Sequence, residues 1–244
     1  MKKMKLKLKH LLFENDELDP NQLSLFDEEG KYILLRDDTI KVNGSTLYRI
    51  RALKPISVRY FGGSIKRGDY GGYIESEKNL SHDGNCWVYD DAKVYQNAQV
   101  KDNATVSGEA QVYGSAVLSD SARVSAEAHV YGNARIDSHC LVHNRAHVYG
   151  NAVVTGMGKT NGNSTVWQDA KVYGNAKISS GGEVHQNAEI FGNAEVTTDS
   201  EVYGKSKLSG NVKVINRAHV WNTVLSGKEV IDGVYVKNGV VAED

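Results

Sequence analysis

Cysteine is scarce in this chain, at Cys86 and Cys140 only. Two thiols make no disulfide framework, and they point to a reducing compartment. Proline is equally rare, with 2 residues against 24 glycines. That balance suits many tight turns between short strands and excludes a disordered Pro-rich chain. Neither sign of charge dominates, with 29 basic and 30 acidic side chains. No net field draws the chain to nucleic acid or to an acidic membrane. No apolar run approaches a membrane span. The start, MKKMKLKLKHLLF, is basic but interrupted by charge, and Glu14, Asp16 and Glu17 follow, so it lacks the apolar core of a secretion signal. A soluble cytoplasmic protein is expected.

What the chain has in abundance is a repeat. AQVYGS, AHVYGN, AKVYGN and AEIFGN recur in one register. Stepping by six from Val88 reaches Val94, Val100, Val106 and Val112, and runs on through Ile136, Val148, Val172 and Ile190 to Val220. Every residue in this series is aliphatic except Thr160, and four places after each stands a small side chain, most often Ala. A period of six fits neither a helix nor an alternating strand. It fits a coil of three short faces, 18 residues per turn, with an aliphatic side chain pointing inward from each face. Corners need positive φ, and Gly114, Gly132, Gly150 and Gly174, each followed by Ser or Asn, supply residues that tolerate it. The pattern [LIV]-x-x-x-[small]-x is the hexapeptide signature of left-handed parallel β-helices, so the fold class expected is all-β.

Four segments follow from this. Residues 1–30 pass from Lys-rich to acidic and read as a flexible arm. Residues 31–86 read as a β-rich cap with strands at Lys31–Leu35, Thr39–Val42 and Thr46–Leu53, and with Asn43-Gly44 as a hairpin turn. Val58–Phe61 reads as a further strand. Residues 87–225 are the β-helix, and 226–244 a terminal hairpin cap carrying Asp232-Gly233 and Asn238-Gly239. Because 158–164 keeps the six-residue phase, it is expected to be a weaker coil with Thr160 inward, and no loop is expected to project.

Several stretches carry a family resemblance. They are Arg49-Ile50-Arg51-Ala52-Leu53, Gly71-Gly72-Tyr73-Ile74-Glu75, Asn79-Leu80-Ser81, Cys86-Trp87-Val88-Tyr89-Asp90-Asp91-Ala92 and the A-x-V-Y-G-N-A repeats. Over roughly 31–224 the chain resembles the YdcK-like hexapeptide-repeat proteins of bacteria and their phages, which often carry an acyltransferase label. The resemblance implies the left-handed β-helix and a phage or prophage setting.

A constant step of 18 sorts the outward residues by face. One column then reads Tyr95, Tyr113, Tyr131, Tyr149, Trp167, His185, Tyr203 and Trp221, aromatic throughout when imidazole is counted. Beside it run Lys93, Gln111, His129, His147, Thr165, Glu183, Glu201 and His219. Such a column stiffens the stack, and an aromatic strip flanked by His and Glu also serves as a contact surface. The binding residues named on this basis are the eight of the column together with His129 and His147.

The function expected is a non-catalytic rigid scaffold that engages a protein partner, a host factor or further copies as a dimer or trimer, without a cofactor. CoA-dependent acyl transfer, with acetyl-CoA as cosubstrate, is the alternative. It would need a histidine base among His129, His139, His143, His147 and His185. A metal site at His139, Cys140 and His143 is disfavoured because Cys140 points inward while its neighbours do not. Nucleic acid is disfavoured because Arg123, Lys177 and Lys213, and Arg135, Lys171 and Lys207, fall on the other two faces.

Overall fold

The computed structural model describes residues 30–57, 64–156 and 163–242. The chain is a left-handed parallel β-helix of short rungs stacked into three walls, and a short 3-10 turn lies at Glu77–Asn79. Among the described residues the first wall has eleven strands, the second eight and the third ten. Rungs pair in register from coil to coil, as in Gln111↔His129 and Val112↔Val130. Among the described residues no helix is long and apolar enough to cross a membrane.

The six-residue rule has a direct physical cause. Val94, Val100, Val106 and their equivalents point into the prism and are fully buried, as are Ala92, Ala98, Ala104 and the other small residues at its corners. Each buried Val, Leu or Ile contributes roughly 1.5–3 kcal/mol over leaving it in water. The corners bend through positive φ, and glycine is only one way to achieve it. Asp90, Gln96 and Gln168 have φ of 51°, 58° and 57°. Their side chains accept the N–H of the corner one coil on, at 2.8 Å for Gly108, Gly114 and Gln186. That bond offsets the cost of a left-handed L-residue. At Gly132, φ is 70° and an added Cβ would meet Gly150 N at 2.9 Å, so a side chain there is both strained and crowded.

Ahead of the coils, Tyr32–Val42 and Ser45–Ala52 form the expected hairpin, turning at Asn43 and Gly44 with φ of 49° and 86°. Ser45–Ala52 pairs antiparallel with Tyr70–Ile74, which in turn pairs parallel with Lys93–Val94. The coil therefore begins inside the segment read as a cap. Ile74 stacks under Val94, Leu80 bridges to Val100, and Val88 pairs with Val106. At the far end Val224–Leu225, Val230–Asp232 and Tyr235–Lys237 make one more parallel coil. Only Tyr235–Lys237 and Val240–Ala242 form a hairpin there. The arm at 1–29 and the strand at Val58–Phe61 lie outside the described residues.

One expectation is corrected. Most coils repeat after 18 residues, as from Asn133 to Asn151, but Asn151 pairs with Asn175, 24 residues on. Val142 pairs with Val166 and His147 with Lys171, so no rung of the ladder is left for a Thr160 face. Six residues between Val154 and Val166 are surplus to the coil, and residues 157–162 lie outside the described residues. The physical reason is simple: 24 is also a multiple of six, so the aliphatic phase survives while every later rung falls one wall behind the place a constant step of 18 would give it.

Candidate functional site: two aromatic ladders

That slip divides the expected column. Tyr95, Tyr113, Tyr131 and Tyr149 do share the first wall, but the next ring above Tyr149 is Tyr173 and then Phe191. The six rings are nearly parallel, with successive centroids 5.0, 4.8, 4.8, 4.8 and 5.0 Å apart. Trp167, His185, Tyr203 and Trp221 stand instead on the third wall, above His143. Their spacings, starting from His143–Trp167, are 5.8, 4.6, 5.1 and 6.4 Å. Lys237 Nζ lies 4.6 Å from the Trp221 ring and closes this second ladder as a cation–π contact.

Tyr173, Phe191, His143 and Lys237 were thus missed, although the sequence holds a signal for them. Tyr131, Tyr149, Tyr173 and Phe191 are each followed by Gly-Asn, whereas Trp167 and His185 are followed by Gln. The shared Gly-Asn marks one corner. Its amides form a ladder of their own, Asn133 to Asn151, Asn175, Asn193 and Asn211, with bonds of 3.0 to 3.1 Å.

The flanking column is corrected in the same way. Lys93, Gln111, His129 and His147 continue into Lys171, Glu189 and Lys207 on the first wall. Lysines therefore do stand beside the ladder, with Lys207 paired to Glu189 at 3.4 Å. The His129 and His147 rings are parallel at 4.9 Å and sit edge-on to Tyr113 and Tyr131. Burial holds both imidazoles below their ordinary pKa, helped at His129 by Lys93, and at His147 by His129 and then Lys171. They are neutral at pH 7. Burial pushes the Tyr113 phenol up to about 12, with Tyr131 and Tyr95 adding to the effect, and raises Tyr131 and Tyr149 too. The ladder's outward tyrosines, Tyr113, Tyr131, Tyr149 and Tyr173, therefore present uncharged hydroxyls, and Phe191 ends the line without one.

One end of it is already covered. Tyr95 is fully buried with Leu47 and Tyr73, against which Ile40, Val42 and Tyr113 pack. Asn43 Nδ2 donates to the Tyr95 hydroxyl at 3.3 Å, and that hydroxyl donates to Gln111 Oε1 at 3.1 Å. Arg49 locks the hairpin down. Its Nε meets Asp38 at 2.9 Å, its Nη2 meets Asp91 at 3.1 Å, and its guanidinium lies 4.4 Å from the Tyr73 ring centre. Tyr113, Tyr131, Tyr149, Tyr173 and Phe191 are half-buried and face outward along the rest of the wall.

On the third wall the chemistry is more polar. His185 is almost wholly buried between Trp167 and Tyr203, with its Nε2 2.6 Å from Glu201 Oε1. The other oxygen of Glu201 lies 2.8 Å from His219 Nδ1. Among the described residues no three His, Cys, Asp or Glu side chains converge to hold a metal ion. Cys140 is buried, and that burial pushes its thiol up to about 12. Where the third and first walls meet, an open polar groove runs past Glu127, Arg145, Gln168 and Asp169, with Arg145 and Asp169 paired at 2.8 Å.

Compared with protein-family models and with curated proteins, the chain finds no match.

Proposed function

We propose that this protein is a non-catalytic, rigid binding or scaffold protein that holds a protein partner against its first wall. The reading rests on the unbroken line of parallel, half-buried rings from Tyr113 to Phe191. Aromatic side chains give a large contact area at little cost in conformational freedom, and an extended strip of them on a rigid surface favours association. The hairpin supplies an internal precedent for the packing, because Leu47, Ile40 and Val42 cover Tyr95 on the same wall. The resemblance to YdcK-like proteins sets this in a bacterial host of a phage or prophage, in the cytoplasm, with a host protein as partner. Self-association through the same wall is the competing form of occupancy.

The test is a triple substitution, Tyr113→Ser, Tyr131→Ser and Tyr149→Ser. Pull-down from host lysate is expected to lose the partner captured by the native protein, while circular dichroism keeps its β signal. Retention of the same partner by the variant rejects the reading. Light scattering on both proteins separates self-association from capture of another protein.

One observation favours the alternative of CoA-dependent acyl transfer. The 24-residue step removes the reason for excluding a loop, and it falls where Ser138 Oγ donates to Gly156 O at 3.2 Å, beside His139. Clear thermal stabilisation by acetyl-CoA, lost in His139→Ala, would favour the enzyme over the scaffold.

A further inference from the structure

Among the described residues Lys31 is the only fully buried lysine, and it lies at the start of the hairpin. Its Nζ donates to Cys86 O at 2.8 Å and to Gly84 O at 3.5 Å, and stands 3.1 Å from Cys86 Sγ. The two residues are 55 positions apart, and their contact joins the hairpin to the first coil. The neighbourhood holds the pair in place. Lys31 N donates to His82 Nδ1 at 3.1 Å, and the Tyr32 ring is parallel to His82 at 4.4 Å and edge-on to Trp87. Burial lowers the Lys31 amine and raises the Cys86 thiol, although each draws the other back. Both shifts disfavour charge on the pair, and an Nζ that gives up its extra proton exposes a lone pair toward Sγ.

We propose that Lys31 and Cys86 are an oxidation site at which peroxide joins Nζ to Sγ through a single oxygen atom. The thiol first attacks one hydrogen peroxide, giving a sulfenic acid and water. A second peroxide then completes the bridge. One S–H and one N–H bond are broken in all, and one S–O and one O–N bond are formed. Sulfur and nitrogen together give up four electrons, which reduce two peroxide molecules to water, so that R–SH, R′–NH2 and two H2O2 become R–S–O–NH–R′ and three H2O. An oxygen between atoms already 3.1 Å apart needs much less movement than a direct N–S bond. The oxidant has a short path, because Cys86 Sγ lies against the carbonyls of Ser81 and Asp83, and Asp83, Gly84 and Asn85 above it are exposed. Cys140 is an internal control. It is equally buried, but its neighbour is the Ser164 hydroxyl and not an amine.

The experiment treats the full chain with hydrogen peroxide and maps it by mass spectrometry without reduction. The expected product has gained one oxygen and lost two hydrogens, joins the peptides of Lys31 and Cys86, resists trypsin at Lys31 and reverts with dithiothreitol. Cys140→Ser keeps this product, and Cys86→Ser and Lys31→Met lose it. Because Lys31→Met removes the Nζ bonds that tie the hairpin to the first coil, the decisive reading is the cross-link map of the native chain. Oxidation of Cys86 with trypsin still cutting after Lys31 overturns the proposal, as does an unmodified Cys86 at peroxide levels that leave the fold intact.

Discussion

The coils before Gly156 and those after Asn163 follow one six-residue rule, yet they present different surfaces. Before the slip the first wall carries Tyr113, Tyr131 and Tyr149, while the third wall carries one ring, Tyr89, and then Ser107 and Ser125 before His143. After it the first wall keeps Tyr173 and Phe191, and the third gains Trp167, His185, Tyr203 and Trp221. The interior is alike in both halves because it depends only on the phase of the aliphatic residues. The exterior depends on how many residues separate one rung from the next, and there 18 and 24 are not equivalent.

The strongest way to break this comparison is to delete six residues in two places. Removing 157–162 leaves an 18-residue step and every wall unchanged, so urea unfolding is expected within about 0.5 kcal/mol of native. Removing 134–139 turns every later rung onto the wrong wall. It separates Tyr131 from Tyr149 and is expected to cost on the order of 3 kcal/mol from misaligned ring pairs alone. Equal losses from the two deletions would refute the slip.

Next in size is the ladder itself. Tyr131→Ala removes two parallel ring contacts and should cost about 1–3 kcal/mol. A double-mutant cycle sharpens the point: Tyr149 with Tyr173 should couple by about 0.5–1.5 kcal/mol, whereas Tyr149 with Trp167 should be additive to within about 0.5 kcal/mol. The reverse pattern restores the single column. Smaller again is Asn175→Ala, which cuts the amide ladder at the pair bridging the two halves and should cost about 1 kcal/mol in the same assay.

The smallest effect separates the halves by pH. His129 and His147 both precede the slip and both sit below the ordinary histidine value of 6.5 in the folded protein. The unfolded chain therefore takes up protons first. Stability from this pair is complete above that value and declines as the pH falls through it toward the depressed folded values. His82 and His143, also lowered by burial, act in the same direction. Melting followed from pH 7.5 to 5 should show the loss, and His129→Gln with His147→Gln should flatten it.

Much of the architecture was legible because geometry imposes it residue by residue. A prism of fixed width accepts an aliphatic residue inward and a small one at the corner, and Asn43-Gly44 turns a hairpin by its own conformational preference. The slip was hidden because Gly158, Thr160 and Ser164 keep the six-residue spacing in the sequence, while Val142 pairs with Val166, 24 residues on. Half of the aromatic column was misplaced for that reason alone, with Trp167 counted onto the wall that Tyr173 occupies. The Lys31–Cys86 contact was invisible for a different reason. Nothing periodic links a hairpin residue to a coil residue 55 positions away.

Glu201 fixes something finer than position. A carboxylate has no proton to give, so both nitrogens that meet it, Nε2 of His185 and Nδ1 of His219, must carry hydrogen. Successive imidazoles on the third wall are thereby held as opposite tautomers when neutral. The more buried of the two, His185, keeps a bare Nδ1 lone pair shielded from solvent, where among the described residues no side chain or backbone group hydrogen-bonds to it.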